Sequence, residues 1–108
     1  MSTLYVVATP IGNLSDLTAR AIEILSSVPV VAAEDTRVAR KLLNHIGASP
    51  RLESLHEHTS PDRLRGIVEI LKSIDMAFIT DAGTPGISDP GAALVSEAVA
   101  SGRSEERR

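Results

Sequence analysis

The chain has 108 residues, 43% of them apolar, and a formal charge of −3. That length allows one domain with one modest core, and the charge speaks against a wholly basic nucleic-acid module, though not against a local basic patch. Cysteine is absent, which excludes a disulfide framework, a thiol nucleophile and a thiolate-ligated metal site.

Aromatic side chains are confined to Tyr5 and Phe78, so the core must be aliphatic. The first apolar run, Leu4 to Ala8, is too short for a signal peptide and lacks its basic flank. No segment approaches transmembrane length, which makes the cytoplasm the default location. "LYVVAT", Leu4 to Thr9, predicts a short buried strand that breaks at Pro10. "SDLTARAIEILSSV" then sets Leu17, Ala21, Leu25 and Val28 on one helical face, with Ser15 or Asp16 as N-cap. Pro29 stops that helix, and "VVAAED" reads as a second buried strand with a polar end. Asp35 or Thr36 caps a second helix carrying Val38, Leu42, Leu43 and Ile46, with Gly47 suited to its C-terminal cap.

"RLESLHEH" predicts a weaker, alternating strand. Ser60 as N-cap, Pro61 as first helical residue and Asp62 at the positive dipole end open a third helix, buried through Leu64, Ile67, Val68, Leu71 and Ile74. "MAFIT" is a fourth buried strand, and Asp89 and Pro90 begin a fourth helix that Gly102 ends. These are four βα units over residues 1–102, with residues 103–108, "RSEERR", expected to be a disordered tail. Apolar strands alternating with amphipathic helices predict an α/β fold, a parallel sheet with helices on both faces. Right-handed crossovers put every βα loop on one edge of that sheet.

Those loops are "TPIGN", "EDTR", "HEHTS" and "DAGTPGISDP", and they hold most of the unusual residues. Ligands of open parallel sheets bind outside the carboxyl ends of the strands. The stretch from Ile79 to Gly91 contains three of the seven glycines and two of the six prolines. Glycine lets backbone approach a ligand, and proline limits the entropy of the loop that does so. A plain long connection is the alternative. His56 and His58 share one side of a strand and suggest a metal site, but weakly; no metal is expected. Glu34 and Asp35 could do acid–base work, although Asp35 is also a plain helix cap. Arg37, Arg40, Lys41 and Asn44 fall on one helical face, either a solvated face or a stripe facing phosphates. G-x-G-x-x-G, Walker and G-x-S-x-G patterns are all missing.

Three of the four edge motifs carry a resemblance. "LYVVATPIGNLSDLTARAIEIL", "VVAAEDTRVARKLL" and "ITDAGTPGISDPG", with "LHEHT" between them, resemble the N-terminal half of the small-subunit ribosomal RNA ribose 2′-O-methyltransferase I family, of the tetrapyrrole methylase fold. The resemblance runs from Leu4 to about Ala100. It implies S-adenosylmethionine as methyl donor, a cytidine 2′-hydroxyl in small-subunit rRNA as acceptor, and a homodimer of two-domain subunits. The D-x-G-x-P loop of the family falls on Asp81, Ala82, Gly83, Thr84 and Pro85, followed by Gly86, and implies that these line the donor site. Asp35, Glu57 and Asp81 are the candidates for a base. Asn13, Arg37, Arg40 and Lys41 are the residues expected to face RNA.

The fold's sheet order is 3-2-4-1-5. Here "SGRSEERR" stands where relatives continue into a fifth strand and a second domain, so the expectation is a truncated domain with an unprotected first strand and doubtful activity alone. Two other functions compete: a tetrapyrrole methyltransferase on the same fold, and a non-catalytic binding or dimerisation module.

Overall fold

The computed structural model of the chain describes residues 2–9, 17–56, 58–81 and 104–107. Five strands and three helices follow in the order β1 (Thr3–Thr9), α1 (Ala19–Ser27), β2 (Val30–Ala33), α2 (Thr36–Ile46), β3 (Arg51–Ser54), α3 (Pro61–Leu71), β4 (Met76–Asp81) and β5 (Ser104–Arg107). All strands pair in parallel, in the order β3-β2-β4-β1-β5. The fourth helix expected from the sequence lies outside the described residues.

Side chains alternate across the sheet, and the two faces have different cores. Val7, Val31, Ala33, Ala77 and Ile79 point to α1 and α2, where they meet Ala21, Leu25, Ala39 and Leu42. Leu4, Val6, Val30, Ala32, Met76 and Phe78 point to the other face and pack with Ile67 and Leu71 of α3. Both faces are thus apolar along the same strands, which is why the strands read as unbroken apolar runs. Phe78, the one phenylalanine, is fully buried against α3.

Helix ends follow side-chain chemistry. Asp35 caps α2, and Gly47 closes it at φ 77°, where its N–H and that of Ala48 reach back to Asn44 and Leu43. Ser60 caps α3, Pro61 opens it and Asp62 occupies its first turn. The start of α1 differs from expectation: Thr18 is the cap, its hydroxyl accepting the Ala21 N–H at 3.0 Å, and Leu17 lies buried just before it. Ser15 and Asp16 lie outside the described residues. Val38 and Ile74 are exposed rather than buried. Val38 sits on the flank of α2, about 100° round the helix from buried Ala39, and α3 ends at Leu71, before the chain turns into β4. There the Asp75 carboxylate accepts the Thr3 N–H at 2.8 Å and ties that turn to the start of β1.

The largest correction concerns residues 104–107. They form a fifth strand, paired in register from Thr3↔Ser104 to Val6↔Arg107, where a disordered tail and a missing fifth strand were expected. β1 is therefore an interior strand, not an unprotected edge. "SEER" lacks an apolar pattern because edge pairing is made by backbone groups, and charges on an edge strand discourage a further chain from adding to it. The outer strand at the other side, β3, also carries charge, Arg51 and Glu53. Removing residues 104–108 should uncover the β1 edge. Light scattering against concentration is then expected to show association of the shortened chain and not of the whole one; equal sizes would mean that β5 does not protect β1.

Candidate functional site

Connection directions locate the site. From β1 the chain moves through α1 to β2, and from β2 through α2 to β3, both steps toward one side of the sheet. From β3 it returns through α3 to β4, and from β4 it goes to β5 on the far side of β1. Right-handed crossovers made in opposite directions lie on opposite faces, as α1 and α2 against α3 demonstrate. β4 lies between β1 and β2, and the chain leaves it in the direction opposite to both of these neighbours. The crevice outside its carboxyl end, bordered by β1 and β2, is the topological switch point, where ligands of open α/β sheets bind. Thr9 and Asp81, partners in register, are the last residues of β1 and β4.

The segments leaving that crevice are "PIGN" after Thr9 and "AGTPG" after Asp81. Asn13, Ala82, Gly83, Thr84, Pro85 and Gly86 lie outside the described residues, as does Glu57. The backbone of Asp81 closes β4, while its side chain lies outside the described part.

Asp35 stands where β2 meets α2, on the same edge. Its Oδ1 accepts the N–H of Arg37 at 3.0 Å and of Val38 at 3.4 Å, and the Arg37 Nε is 3.6 Å away. The Arg37 N–H holds the carboxyl below its ordinary value, helped by the Val38 N–H and the Arg37 guanidinium, against the opposite pull of desolvation. A carboxylate stabilised in this way is a weak base, so the geometry assigns Asp35 to capping.

The third loop is a tight turn. The His56 N–H donates to Thr59 Oγ1 at 2.8 Å, and the Thr59 N–H donates to the His56 carbonyl at 2.9 Å. The His58 N–H donates to His56 Nδ1 at 3.0 Å. The two rings meet edge to face with centroids 6.0 Å apart. Among the described residues no three His, Asp or Glu side chains gather as metal ligands.

Glu53 escaped the sequence reading. It is buried on β3, and its carboxylate receives Arg51 Nε at 2.7 Å and Arg63 Nη2 at 2.8 Å. Arg63 Nε also donates to the Ser54 carbonyl at 3.4 Å, so this pair ties α3 to the strand that leads into the third loop. The alternation of "RLES" hints at Arg51 with Glu53, but nothing in the sequence brings Arg63 to them. Arg37, Arg40, Lys41 and Asn44 are all exposed on the outer face of α2, as their spacing predicts.

A family profile described as Tetrapyrrole (Corrin/Porphyrin) Methylases matches residues 3–104. A "Ribosomal RNA small subunit methyltransferase I" from Mycoplasmopsis pulmonis is 48% identical over 99 residues, 91% of this chain and 45% of that protein. Proteins of the same name from Halalkalibacterium halodurans and Haemophilus influenzae are 46% and 50% identical over 93% and 85% of this chain and 35% and 33% of theirs. The chain thus spans less than half the length of these relatives. Among solved structures, the native uroporphyrin III C-methyl transferase of Thermus thermophilus superposes with a TM-score of 0.69 at 18% identity, over 99% of this chain and 48% of that one. The same enzyme complexed with S-adenosyl homocysteine gives 0.65 at 19%, over 99% and 44%. At such identity the likeness is one of fold.

A test of the Asp35 assignment follows from the sign of its shift. A lowered folded value means that the cap's contribution is present above the unfolded carboxyl value and is lost as pH falls through the folded one. Near pH 7, Asp35→Asn should keep the urea midpoint close to wild type, since Asn caps about as well, and Asp35→Ala should lower it. In acid the gap between wild type and Asp35→Ala should close while that between Asn and Ala persists. A wild-type gap that is unchanged in acid would contradict the assignment.

Proposed function

The chain belongs to the tetrapyrrole (corrin/porphyrin) methylase family, and from that premise we propose that it carries the donor-binding half of an S-adenosylmethionine-dependent methyltransferase acting on small-subunit rRNA. One observation carries the donor site: the switch-point crevice lies at the carboxyl end of β4, beside β1 and β2, and so opens at Asp81, where the D-A-G-T-P segment begins. Asp81, Ala82, Gly83, Thr84, Pro85 and Gly86 are the residues proposed to hold the donor. Gly83 and Gly86 present no side chain, so the backbone there can lie against it. Pro85 restricts the segment, so little entropy is lost on binding. The neighbour complexed with S-adenosyl homocysteine shares this fold and supports the choice of ligand class.

When bound, the donor supplies a methyl group that is already electrophilic. The protein must then hold the acceptor oxygen in line and keep water away. Relatives at 46–50% identity are named for small-subunit rRNA, which favours RNA over a tetrapyrrole as acceptor. We take that acceptor to be a cytidine 2′-hydroxyl. With Asp35 committed to its helix, Glu57 and Asp81 are the remaining candidates for the base. Asn13, in the segment after β1, is proposed to face the RNA. A homodimer in the cytoplasm is the proposed setting. No helix among the described residues is long and apolar enough to cross a membrane.

Calorimetric titration with S-adenosylmethionine tests the donor site. The chain should bind it, and Gly83→Val should abolish the binding while circular dichroism stays unchanged. Unaltered affinity in the variant would refute the assignment of the crevice.

A further inference from the structure

We propose that the outer face of α2 is the track for single-stranded RNA leaving the crevice, with phosphates on Arg37 and Lys41 and one unstacked base seated beside Arg40 and Asn44. This rests on the reading of the acceptor as RNA. The first support is how the positive charge is distributed. Among the described side chains, Arg20 pairs with Glu23, Arg51 and Arg63 with Glu53, Arg65 with Asp62, and Lys72 with Glu69. Arg37 keeps a 3.6 Å approach to Asp35 and is otherwise open to solvent. Arg40 and Lys41 have no carboxylate partner among the described residues, and they are consecutive on α2. That helix holds three cations and no carboxylate, whereas α1 and α3 balance theirs, in a chain of net charge −3. Such a concentration is not explained by composition or by the stability of the fold.

The second support is spatial. At 3.6 residues per turn, Arg40, Asn44, Arg37 and Lys41 fall within about 100° of the helix circumference, and Arg37 to Asn44 spans about 10.5 Å of axis. Arg37 lies in the first turn, at the ligand edge, so the stripe begins at the carboxyl edge and runs away from it. Beside its far end is a cleft of about 200 Å³, lined among others by Arg40, Asn44, Ser49, Pro50 and Leu52. Its volume lies below the roughly 300–1,000 Å³ of small-molecule sites and suits one nucleobase. Apolar Pro50 and Leu52 can meet one face of a base and the Arg40 guanidinium the other, with Asn44 and Ser49 at its polar edge. Recognition of single-stranded RNA depends on such splayed bases, stacked on aromatic rings or on guanidinium planes. Phe78 is buried and Tyr5 partly so, which leaves that task to Arg40.

The test is fluorescence anisotropy of the whole chain with a labelled single-stranded RNA of about 12 nucleotides, between about 50 and 300 mM KCl. Each lost phosphate contact lowers the slope of log affinity against log salt by about 0.7 for a single strand. Arg37→Ala with Lys41→Ala should therefore flatten the slope by about 1.4. Ser49→Trp, which fills the cleft, should weaken binding about fivefold or more with the slope kept, the lower end of what one stacked base contributes. Arg65→Ala, a paired cation on another helix, should change neither, and circular dichroism should show all variants folded. RNA binding whose slope ignores the Arg37/Lys41 pair, or whose affinity ignores Ser49→Trp, overturns this track and leaves the RNA reading standing. Absence of RNA binding at the lowest salt overturns both. Stripe-dependent binding to vesicles of about 30 mol% phosphatidylserine, tighter than to RNA, assigns the face to a membrane and overturns the track.

Discussion

A parallel sheet of this kind has no free face, because every crossover helix must be laid on one side or the other, and each interior strand must therefore supply two apolar surfaces at once. Leu4, Val6, Met76 and Phe78 answer to α3 while Val7, Ala77 and Ile79, on the same two strands, answer to α1 and α2. Burying both faces leaves the strand ends as the place for polar chemistry. The handedness of the crossovers then removes the remaining freedom. Once α1 and α2 share one face and α3 takes the other, β4 is left in the direction opposite to both its neighbours, and the crevice lies at its carboxyl end.

Around that crevice the polar residues divide into two kinds. Some are consumed by the scaffold. Asp35 spends its carboxylate on the first turn of α2, Ser60 and Thr18 do the same for α3 and α1, and Glu53 binds two arginines at the outer strand. Others, notably Arg40 and Lys41, have no carboxylate partner among the described residues. Function is more readily assigned to the second kind, because no contact among the described residues gives a structural reason for them. This separation also explains why an acidic residue on the ligand edge is not by that fact a base. Asp35 is held charged by backbone donors, which makes it a good cap and a poor proton acceptor.

Much of this was legible in the sequence, and the physical reasons are specific. The apolar runs at Leu4, Val30 and Met76 predict interior strands, and the order β3-β2-β4-β1-β5 agrees with the resemblance. Ser60-Pro61-Asp62 and Gly47 announce helix ends through local chemistry, and both hold. The misses came where structure is set by something other than side-chain pattern. β5 is held by backbone pairing with β1, which "SEER" does not advertise. Val38 has the right residue type for a core but lies on the flank of its helix. The contact between Glu53 and Arg63 joins residues from a strand and the helix after it. In the candidate site, the motif from Asp81 to Pro85 stands out by resemblance, whereas the reversal of direction at β4 singles out Asp81, the end of that strand, for a reason independent of any relative.

The most direct test of the crevice is a map of backbone amide shifts on adding S-adenosyl homocysteine, by two-dimensional nuclear magnetic resonance of the labelled chain. The account predicts saturable shifts at Thr9 and Asp81 and in the segments 10–16 and 82–86 that leave them, with Arg51 and Met76 at the opposite strand ends unmoved. Shifts centred on those opposite ends, or none at ligand saturation, would contradict it.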